Sequence, residues 1–469
     1  MTVRARFAPS PTGDLHLGNA LTAFANYLMA ASKNGEFVLR IDDTDMDRSH
    51  ESRIEGIERD LQWLGIHWQK RVRQSGAMTT YYREARERLA AAGRAYPCFC
   101  SPAQLESARS RARARGRPPR YPGTCRDLDA KQRAAKLAER LPYAWRLALD
   151  PGQVTFEDLV RGIVSIDPHE AVGDPILVRS DGMPTYNFAS VVDDARLNVT
   201  HILRGEDHLT NTAVQVRLFQ ALGERVPRFG HHGLLAGPDS GPLSKREGST
   251  TLAGLRSAGN LPDALLAYLG TLFGIDFDAD QPFSIERLVR GFDPQKLPHG
   301  QVRLDPGRLR HISANMMRGR DPAELAAMLR DWAGERALEL DPGYKALGAV
   351  VALCQENSAD LQELYDWVRI AEPGADIGAL REPKAAALLA DTASGELLQA
   401  LYADLEQLSG PDYDESLSRI VKALNRPAGK VFKLLRAAIT GRLWGPHLSD
   451  LLALLGPEEV RSRIERELQ

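Results

Sequence analysis

The segment that most constrains this 469-residue chain is residues 3–41, where the apolar periodicity changes twice. Residues 3–7 alternate apolar side chains with Arg4 and Arg6, at the two-residue period of a strand. A Gly/Pro-rich stretch, 9–13, breaks the pattern, and from Leu17 the apolar positions Leu21, Phe24 and Leu28 recur at helical spacing. Asn34-Gly35 then turns the chain into a second strand-like run, 37–41. Strand, helix and strand in that order need a crossover connection, which predicts a parallel α/β sheet. Helical stretches near 51–64 and 80–92 continue the theme over a first half, 1–95.

The pattern changes near Tyr96. Cysteines, an arginine run and short strand-like pieces at 143–149 and 176–179 predict an inserted domain over 96–190. Strand-like 201–204 and helix-like 211–222 resume the first theme in a second half, 191–235. Residues 236–320 carry a Ser-Lys-Arg loop. Leucine and alanine then recur at helical spacing through 323–332, 344–353, 361–370 and 385–401, so 321–469 is predicted to be all helical.

Hydrophobic residues at 43% and charged residues at 26% exclude both disorder and a fibrous repeat. The four cysteines are too few for a disulfide framework, and three of them, Cys98, Cys100 and Cys125, lie close together, as in a metal site of a reducing compartment. No apolar run approaches the roughly 18 residues of a membrane span, and the N-terminal residues show no signal-peptide core. These features predict a cytoplasmic protein with no membrane partner. The formal charge of −2 conceals an uneven distribution. Residues 1–320 carry 44 basic and 37 acidic side chains, 321–415 carry 6 and 20, and 416–469 carry 10 and 5.

Two pieces bear on chemistry. His16-Leu17-Gly18-Asn19 follows a strand and a Gly/Pro-rich turn and stands at the mouth of a helix, where unpaired N–H groups and the helix dipole suit phosphate oxygens. Gly18 lets a purine or ribose approach the backbone, and His16 can donate to oxygens as charge builds on them. The second piece, 237–248, has glycines on both sides of Ser244-Lys245-Arg246, a loop of adjacent cations suited to closing on a polyphosphate. Alone, the first also fits an ordinary strand-to-helix turn and the second a solvated surface loop.

In this order around a split sheet, the two pieces resemble the His-x-Gly-x and Lys-Met-Ser-Lys-Ser signatures of the class I aminoacyl-tRNA synthetases. The finer text is similar to the bacterial glutamyl-tRNA synthetases: Arg6-Phe7-Ala8-Pro9-Ser10-Pro11-Thr12-Gly13, Leu39-Arg40-Ile41-Asp42-Asp43-Thr44-Asp45, Asp181-Gly182-Met183-Pro184-Thr185-Tyr186-Asn187, Val191-Val192-Asp193-Asp194 and Arg204-Gly205-Glu206-Asp207-His208. The likeness runs from residue 3 to about 310 and continues more weakly to Leu434-Leu435-Arg436-Ala437-Ala438-Ile439-Thr440-Gly441.

The resemblance implies a Rossmann-like α/β catalytic domain split by an acceptor-binding insertion, a stem-contact region and an all-α anticodon-binding region. It implies an enzyme, a glutamate–tRNA ligase that forms glutamyl-adenylate from L-glutamate and ATP, with Mg²⁺ carried by the nucleotide, and then charges tRNA(Glu). His16, Lys245 and Arg246 would be catalytic, and Ser10, His16, Gly18, Asn19, Ser244 and Lys245 would hold ATP, with no protein nucleophile. Arg6, Ala8, Ser10, Asp42, Tyr186 and Arg204 would surround the glutamate, Arg6 or Arg204 on its side chain and Asp42 toward its ammonium. The competing reading is that Arg6 and Arg204 pair structurally with Asp42 or Asp207. Three residues depart from the family pattern: Pro242 replaces a lysine of the mobile loop, Asp42 is one methylene shorter than the usual glutamate, and Ser190 stands where asparagine or a small residue is common.

Cys98, Cys100 and Cys125 offer three thiolates, and zinc takes four ligands. Tyr121 and Asp127 are the candidates for the fourth, and some relatives bind structural zinc here while others have lost it. Arg109, Arg111, Arg113, Arg115, Arg117 and Arg120 put six guanidinium groups on one segment between these residues, suited to an RNA backbone or simply solvated. From Ser416 to Ser449 there is no acidic residue, while Arg419, Lys422 and Arg426, then Lys430, Lys433 and Arg436, fall on helical faces that suit an anticodon arm. The alternative is that these faces pair with the acidic 321–415 segment. Asn357 stands near where relatives that charge only glutamate tRNA carry arginine, which raises a form that also accepts, or prefers, tRNA(Gln). Pro242 favours a further alternative, a tRNA-binding paralogue that has lost activity. A monomer is the family default.

Overall fold

A computed structural model of the chain describes residues 2–44, 48–77, 80–116, 118–237, 250–275, 283–340, 347–404 and 413–469. The chain divides into two compact units, one of Met1–Leu255, Leu266–Asp278 and Phe283–Asp305, the other of Arg256–Leu265, Ala279–Pro282 and Pro306–Gln469.

The strands of the first unit are β1 (Arg4–Phe7), β2 (Glu36–Ile41), β3 (Lys70–Arg73), β4 (Ala95–Cys98), β5 (Ala144–Leu147), β6 (Val154–Asp158), β7 (Gly162–Ile166), β8 (Ile176–Val178), β9 (His201–Gly205), β10 (Arg228–His232), β11 (Leu235–Ala236) and β12 (Val302–Arg303). Seven of them form one sheet in the order β3-β2-β1-β9-β10-β6-β7. All neighbours in it are parallel except β6 and β7. The expected strand-helix-strand unit opens it. β1 and β2 pair from Arg4↔Glu36 to Phe7↔Leu39, and helix α1 (Leu17–Ala31) connects them. A side chain on Gly35 would strike the Val3 carbonyl, so glycine lets β2 begin this close to β1.

Ten of the fifteen residues of α1 are buried, Phe24, Leu28 and Met29 among them, as a helix covered on most sides requires. β1 and β2 are nearly continuous in burial, as central parallel strands are. Arg6 is as buried as its apolar neighbours, and its charge is met from within the protein.

The expected insertion over 96–190 is not separate throughout. β4, β5 and β8 form an antiparallel three-stranded sheet of their own, but the β6–β7 hairpin lies on the edge of the main sheet, where β6 runs beside β10. Short, half-exposed strands carry no pattern that says which sheet they join.

Every regular element described in the second unit is helical. The helices include Pro306–Gly319, Pro322–Gly334, Leu347–Cys354, Leu361–Ala371, Thr392–Asp404, Tyr413–Leu424, Ala428–Thr440 and Leu448–Leu468. The unit takes in Pro306–Gly319, so it starts before the expected boundary at 321. One core gathers Leu329, Val350, Leu364 and Trp367, and a second gathers Leu398, Leu434, Leu452 and Val460. Cys354 is an apolar member of the first, and burial pushes its thiol up to about 12. Gly456, at φ 77°, and Pro457 interrupt Leu448–Leu468. No helix among the described residues is long and apolar enough to cross a membrane.

Candidate active site

From β1 the sheet grows through β2 to β3 on one side and from β9 through β10 on the other. The crevice at the C-terminal ends of two parallel strands whose connections diverge is where such sheets bind ligands. Two of the sequence segments singled out meet there: the loop and helix start after β1, and Gly205-Glu206-Asp207-His208 after β9.

His16 caps α1. Its Nδ1 accepts from the Asn19 backbone N–H at 3.2 Å, and the Asn19 side-chain oxygen accepts from the His16 N–H at 3.0 Å. This reciprocal capping satisfies two end donors of the helix. It also sets the tautomer, because an Nδ1 that accepts leaves the proton of a neutral ring on Nε2. Leu17, Gly18 and Asn19 form the first turn. Thr251 bridges to His16, and the Leu252 N–H donates to the Leu15 carbonyl at 2.8 Å, which fixes the chain after the Ser-Lys-Arg loop beside the helix start. Pro242, Ser244, Lys245 and Arg246 themselves lie outside the described residues. Ala8 is half-buried and Ser10 exposed, and the Asp42 N–H donates to the Pro9 carbonyl at 2.9 Å, tying the ends of β1 and β2 together.

The charges below this loop are sorted. Arg6 donates from Nε and Nη2 to the two Asp194 oxygens at 3.2 and 3.3 Å. Arg40 grips both oxygens of Asp42 at 2.7 and 3.0 Å and reaches Asp194 at 2.7 Å and the Ser190 hydroxyl at 3.2 Å. Burial alone would raise the Asp194 carboxyl, but Arg6 and Arg40 outweigh it and hold it below the usual range. Asp42 goes the other way, raised because burial exceeds the pull of Arg40. Thus Arg6 is paired, with Asp194 rather than the Asp42 or Asp207 weighed from the sequence, and Asp42 is engaged by Arg40.

Arg204 differs. It is buried at 4% exposure, and all its acceptors are neutral: Tyr186 Oη at 3.4 Å, Thr212 Oγ1 at 2.5 Å, Gln215 Oε1 at 2.8 Å and His231 Nε2 at 3.3 Å. No described carboxylate pairs with it. Tyr186, half open to solvent, begins the helix Tyr186–Arg196, and its ring tilts over His208 with centroids 5.6 Å apart. Burial, with Arg204 nearby, pushes His208 down to about 4.

Sequence reading passed over Arg40, Asp158, Asp194, Thr212, Gln215 and His231 as functional groups. Asp193-Asp194 within an apolar helix and His231 within a buried strand were the available signals, since a charge or imidazole at a core position demands a partner.

In the insertion the three thiols converge, their sulfurs all within 4.8 Å of one another. Tyr121 joins them. Its oxygen lies 3.4 Å from Cys98 Sγ and 3.8 Å from Cys100 Sγ, and accepts from the Cys125 N–H at 2.8 Å. Asp127, the other candidate, is not part of the group. Burial would raise the Cys98 thiol, yet Tyr121 and Arg146 together hold it below its ordinary value, while burial beside Cys98 pushes Cys100 up to about 12. The three sulfurs are donors that suit zinc, and the Tyr121 oxygen lies beside them.

The first half of the arginine run, Arg109, Arg111 and Arg113, lies on a helix, Pro102–Ala114, with a Ser101–Gln104 capping box and no buried residue. Arg109 and Arg113 share Glu106, Arg111 bonds Ser107, and Arg115 is exposed at the helix end. Arg111, Arg115 and Arg120 line a cavity of about 520 Å³, and Arg109 and Arg120 help line another of about 380 Å³ with Tyr121, Arg146 and Tyr186. Arg117 lies outside the described residues. In the helical unit Arg419, Lys422, Arg426, Lys430 and Lys433 are exposed, and among the described residues none is paired with a carboxylate. Arg436 turns inward instead, donating to the Pro446 carbonyl at 2.7 Å.

Comparison with known proteins agrees with this division. Residues 2–305 match the family described as tRNA synthetases class I (E and Q), catalytic domain, and 324–468 match an anticodon binding domain. Among similar proteins, glutamate–tRNA ligase 1 of Halorhodospira halophila is 39% identical over 99% of this chain and 97% of its own length. Glutamate–tRNA ligase of Carboxydothermus hydrogenoformans is 35% identical over 98% and 99%. A solved glutamate tRNA ligase from Elizabethkingia meningosepticum, in complex with its amino acid, has a TM-score of 0.80 at 27% identity, covering 100% of this chain and 99% of that one. The signature at the head of α1, the switch-point crevice and these full-length likenesses agree: the chain belongs to the class I tRNA synthetases of the E and Q group.

Proposed function

We propose that this chain joins L-glutamate to tRNA in two steps. An oxygen of the glutamate α-carboxylate attacks the α-phosphorus of ATP, and the bond to pyrophosphate breaks. A terminal ribose hydroxyl of tRNA then attacks the acyl carbon, and AMP leaves. The observation that carries this reading is Arg204, a buried guanidinium in the crevice whose partners are all neutral. A buried cation of this kind lacks a carboxylate, and the side chain of glutamate supplies one.

The first step gathers negative charge, so donors matter more than a base. His16, through Nε2–H, and the α1 N–H groups at Gly18 and Asn19 meet the phosphates. Ser10 borders them, and Ser244, Lys245 and Arg246 supply further hydrogen-bond donors and positive charge to the phosphates. Mg²⁺ accompanies the nucleotide. Arg204 and Tyr186 take the side-chain carboxylate, with Arg6 adding positive potential and Ala8 leaving room. Asp42 draws the ammonium, because each oxygen held by Arg40 keeps a second lone pair. Cys98, Cys100, Cys125 and Tyr121 hold a zinc ion that staples the insertion and takes no part in the chemistry. Arg109, Arg111, Arg113 and Arg115 receive the acceptor end of tRNA, and Lys430 and Lys433 the anticodon arm. Arg436 braces that helix from inside.

Glutamate-dependent exchange of pyrophosphate into ATP, with tRNA supplied, tests the reading. His16→Ala and Lys245→Ala each lower turnover by about 100-fold or more. Activity unchanged in both variants would defeat it.

A further inference from the structure

Arg204 is satisfied in an unusual way. Its guanidinium makes four hydrogen bonds, all to neutral acceptors, and the one from Nε–H goes to His231 Nε2. His231 is wholly buried on β10. Its Nδ1 lies 2.5 Å from Oδ2 of Asp158, itself buried at the end of β6. The other Asp158 oxygen, Oδ1, accepts three backbone N–H groups, from Val160 at 2.9 Å, Arg161 at 3.0 Å and His231 at 3.1 Å. A carboxylate so surrounded by donors is ionised and can only accept, so the His231 proton sits on Nδ1 and points at Asp158. The one Nε2 lone pair faces Arg204 Nε–H at 3.3 Å and the Thr212 hydroxyl at 2.7 Å, and Arg204 takes it when the Thr212 proton goes to its other acceptor, the His208 carbonyl at 3.2 Å.

Arg6 and Arg40 each have a carboxylate directly against the guanidinium, whereas the carboxylate behind Arg204 stands one imidazole away. The charge of Arg204 is only partly offset, since burial outweighs nearby Asp194 and holds the guanidinium below its ordinary value, and no acidic side chain bonds it directly. An aspartate in direct contact would compete with the carboxylate of an incoming amino acid, and a cation with no compensation at all would be costly to bury.

We infer that Asp158 and His231 form a relayed counterion that orients Arg204 and keeps its guanidinium open to the side-chain carboxylate of the amino acid. The inference rests on the proposed use of glutamate. It makes His231 and Asp158 positioning residues, since neither touches substrate. It also explains why the β6–β7 hairpin joins the main sheet, because β6 thereby brings Asp158 alongside β10, where Phe229 pairs with it in register.

Steady-state pyrophosphate exchange by the full chain, with glutamate and ATP varied separately, tests the relay. His231→Leu removes both relay bonds, and it raises KM for glutamate roughly tenfold or more, the size of one hydrogen bond to a charged group, with KM for ATP unchanged. His231→Gln can donate to Asp158 and accept from Arg204, and it restores most of the loss. A merely structural role would lower Tm and impair both substrates alike, with no rescue by glutamine. A second measurement needs no variant to fold: ¹⁵N-histidine NMR of the wild type at pH 7 shows His231 as the neutral Nδ1–H tautomer, and its Nε2 signal moves when glutamate is added. A glutamate KM within twofold of wild type in a folded His231→Leu, or an Nε2–H tautomer, would overturn the relay alone. A wild-type chain that neither exchanges with nor binds glutamate would overturn the relay and the functional reading together.

Discussion

Two arginines of the crevice acquire different work from their neighbours. Arg6 lies against Asp194, which Arg40 also reaches, so two buried guanidinium groups share Asp194 and Asp42 between them. Asp194→Asn leaves both without that charge, and urea unfolding should show about 3–5 kcal/mol of lost stability. Arg204 has no such partner, and Arg204→Gln should lower kcat/KM for glutamate by on the order of 100-fold while costing less stability than Asp194→Asn, since it loses bonds to neutral groups but leaves no buried charge unpaired. The histidines add a pH dependence. Burial lowers His201, His208, His231 and His232, with His208 pushed down to about 4. Each folded value lies below the unfolded one, so these histidines withdraw stability as pH drops from about 6.5 toward 4, opposed in part by Asp360, which burial raises to about 6. Urea midpoints at pH 7 and pH 5 should differ in that direction, and equal midpoints would contradict it. Among single residues the sequence identified types but not partners. Asp42 and Asp207 were the carboxylates weighed for Arg6 and Asp194 was missed, because local periodicity is blind to a carboxylate 188 residues away.

Among elements, α1 and its cap were the most legible, since capping, turn and periodicity are written in adjacent residues. Asn19→Ala removes one arm of the capping box and loosens the turn that holds the His16 ring. It should cost about 1 kcal/mol of stability and slow exchange, with the larger part of the kinetic loss in the ATP-dependent terms. The thiol cluster was legible as three cysteines, and the fourth donor was narrowed to Tyr121 or Asp127 but no further, because only the fold of the intervening loop brings Tyr121 to the sulfurs and leaves Asp127 outside. Metal analysis of purified protein should find about one zinc per chain. Cys98→Ser should lose it, with melting of the insertion at lower temperature and little change in the sheet; a wild-type chain purified without chelator and free of zinc would refute the site. The β6–β7 hairpin was the element that sequence placed in the wrong company, since strand pairing across the sheet depends on contacts no short motif encodes.

For the molecule as a whole, the uneven charge distribution proved more informative than its sum. The exposed arginine helix and the exposed basic faces of 419–433 lie in different units, as two contact points on one long nucleic acid would. Exchanging Arg109, Arg111 and Arg113 for alanine should weaken tRNA binding and flatten the dependence of log Kd on log salt by about two to three. Whether the chain is a glutamate–tRNA ligase is decided by charging purified glutamate and glutamine tRNAs with labelled glutamate. Glutamyl-tRNA should form from glutamate tRNA and form on the order of 100-fold more slowly with Arg204→Gln, while product on glutamine tRNA would report relaxed discrimination at the anticodon. No glutamyl product on either tRNA, from a folded chain supplied with ATP and Mg²⁺, would contradict that assignment.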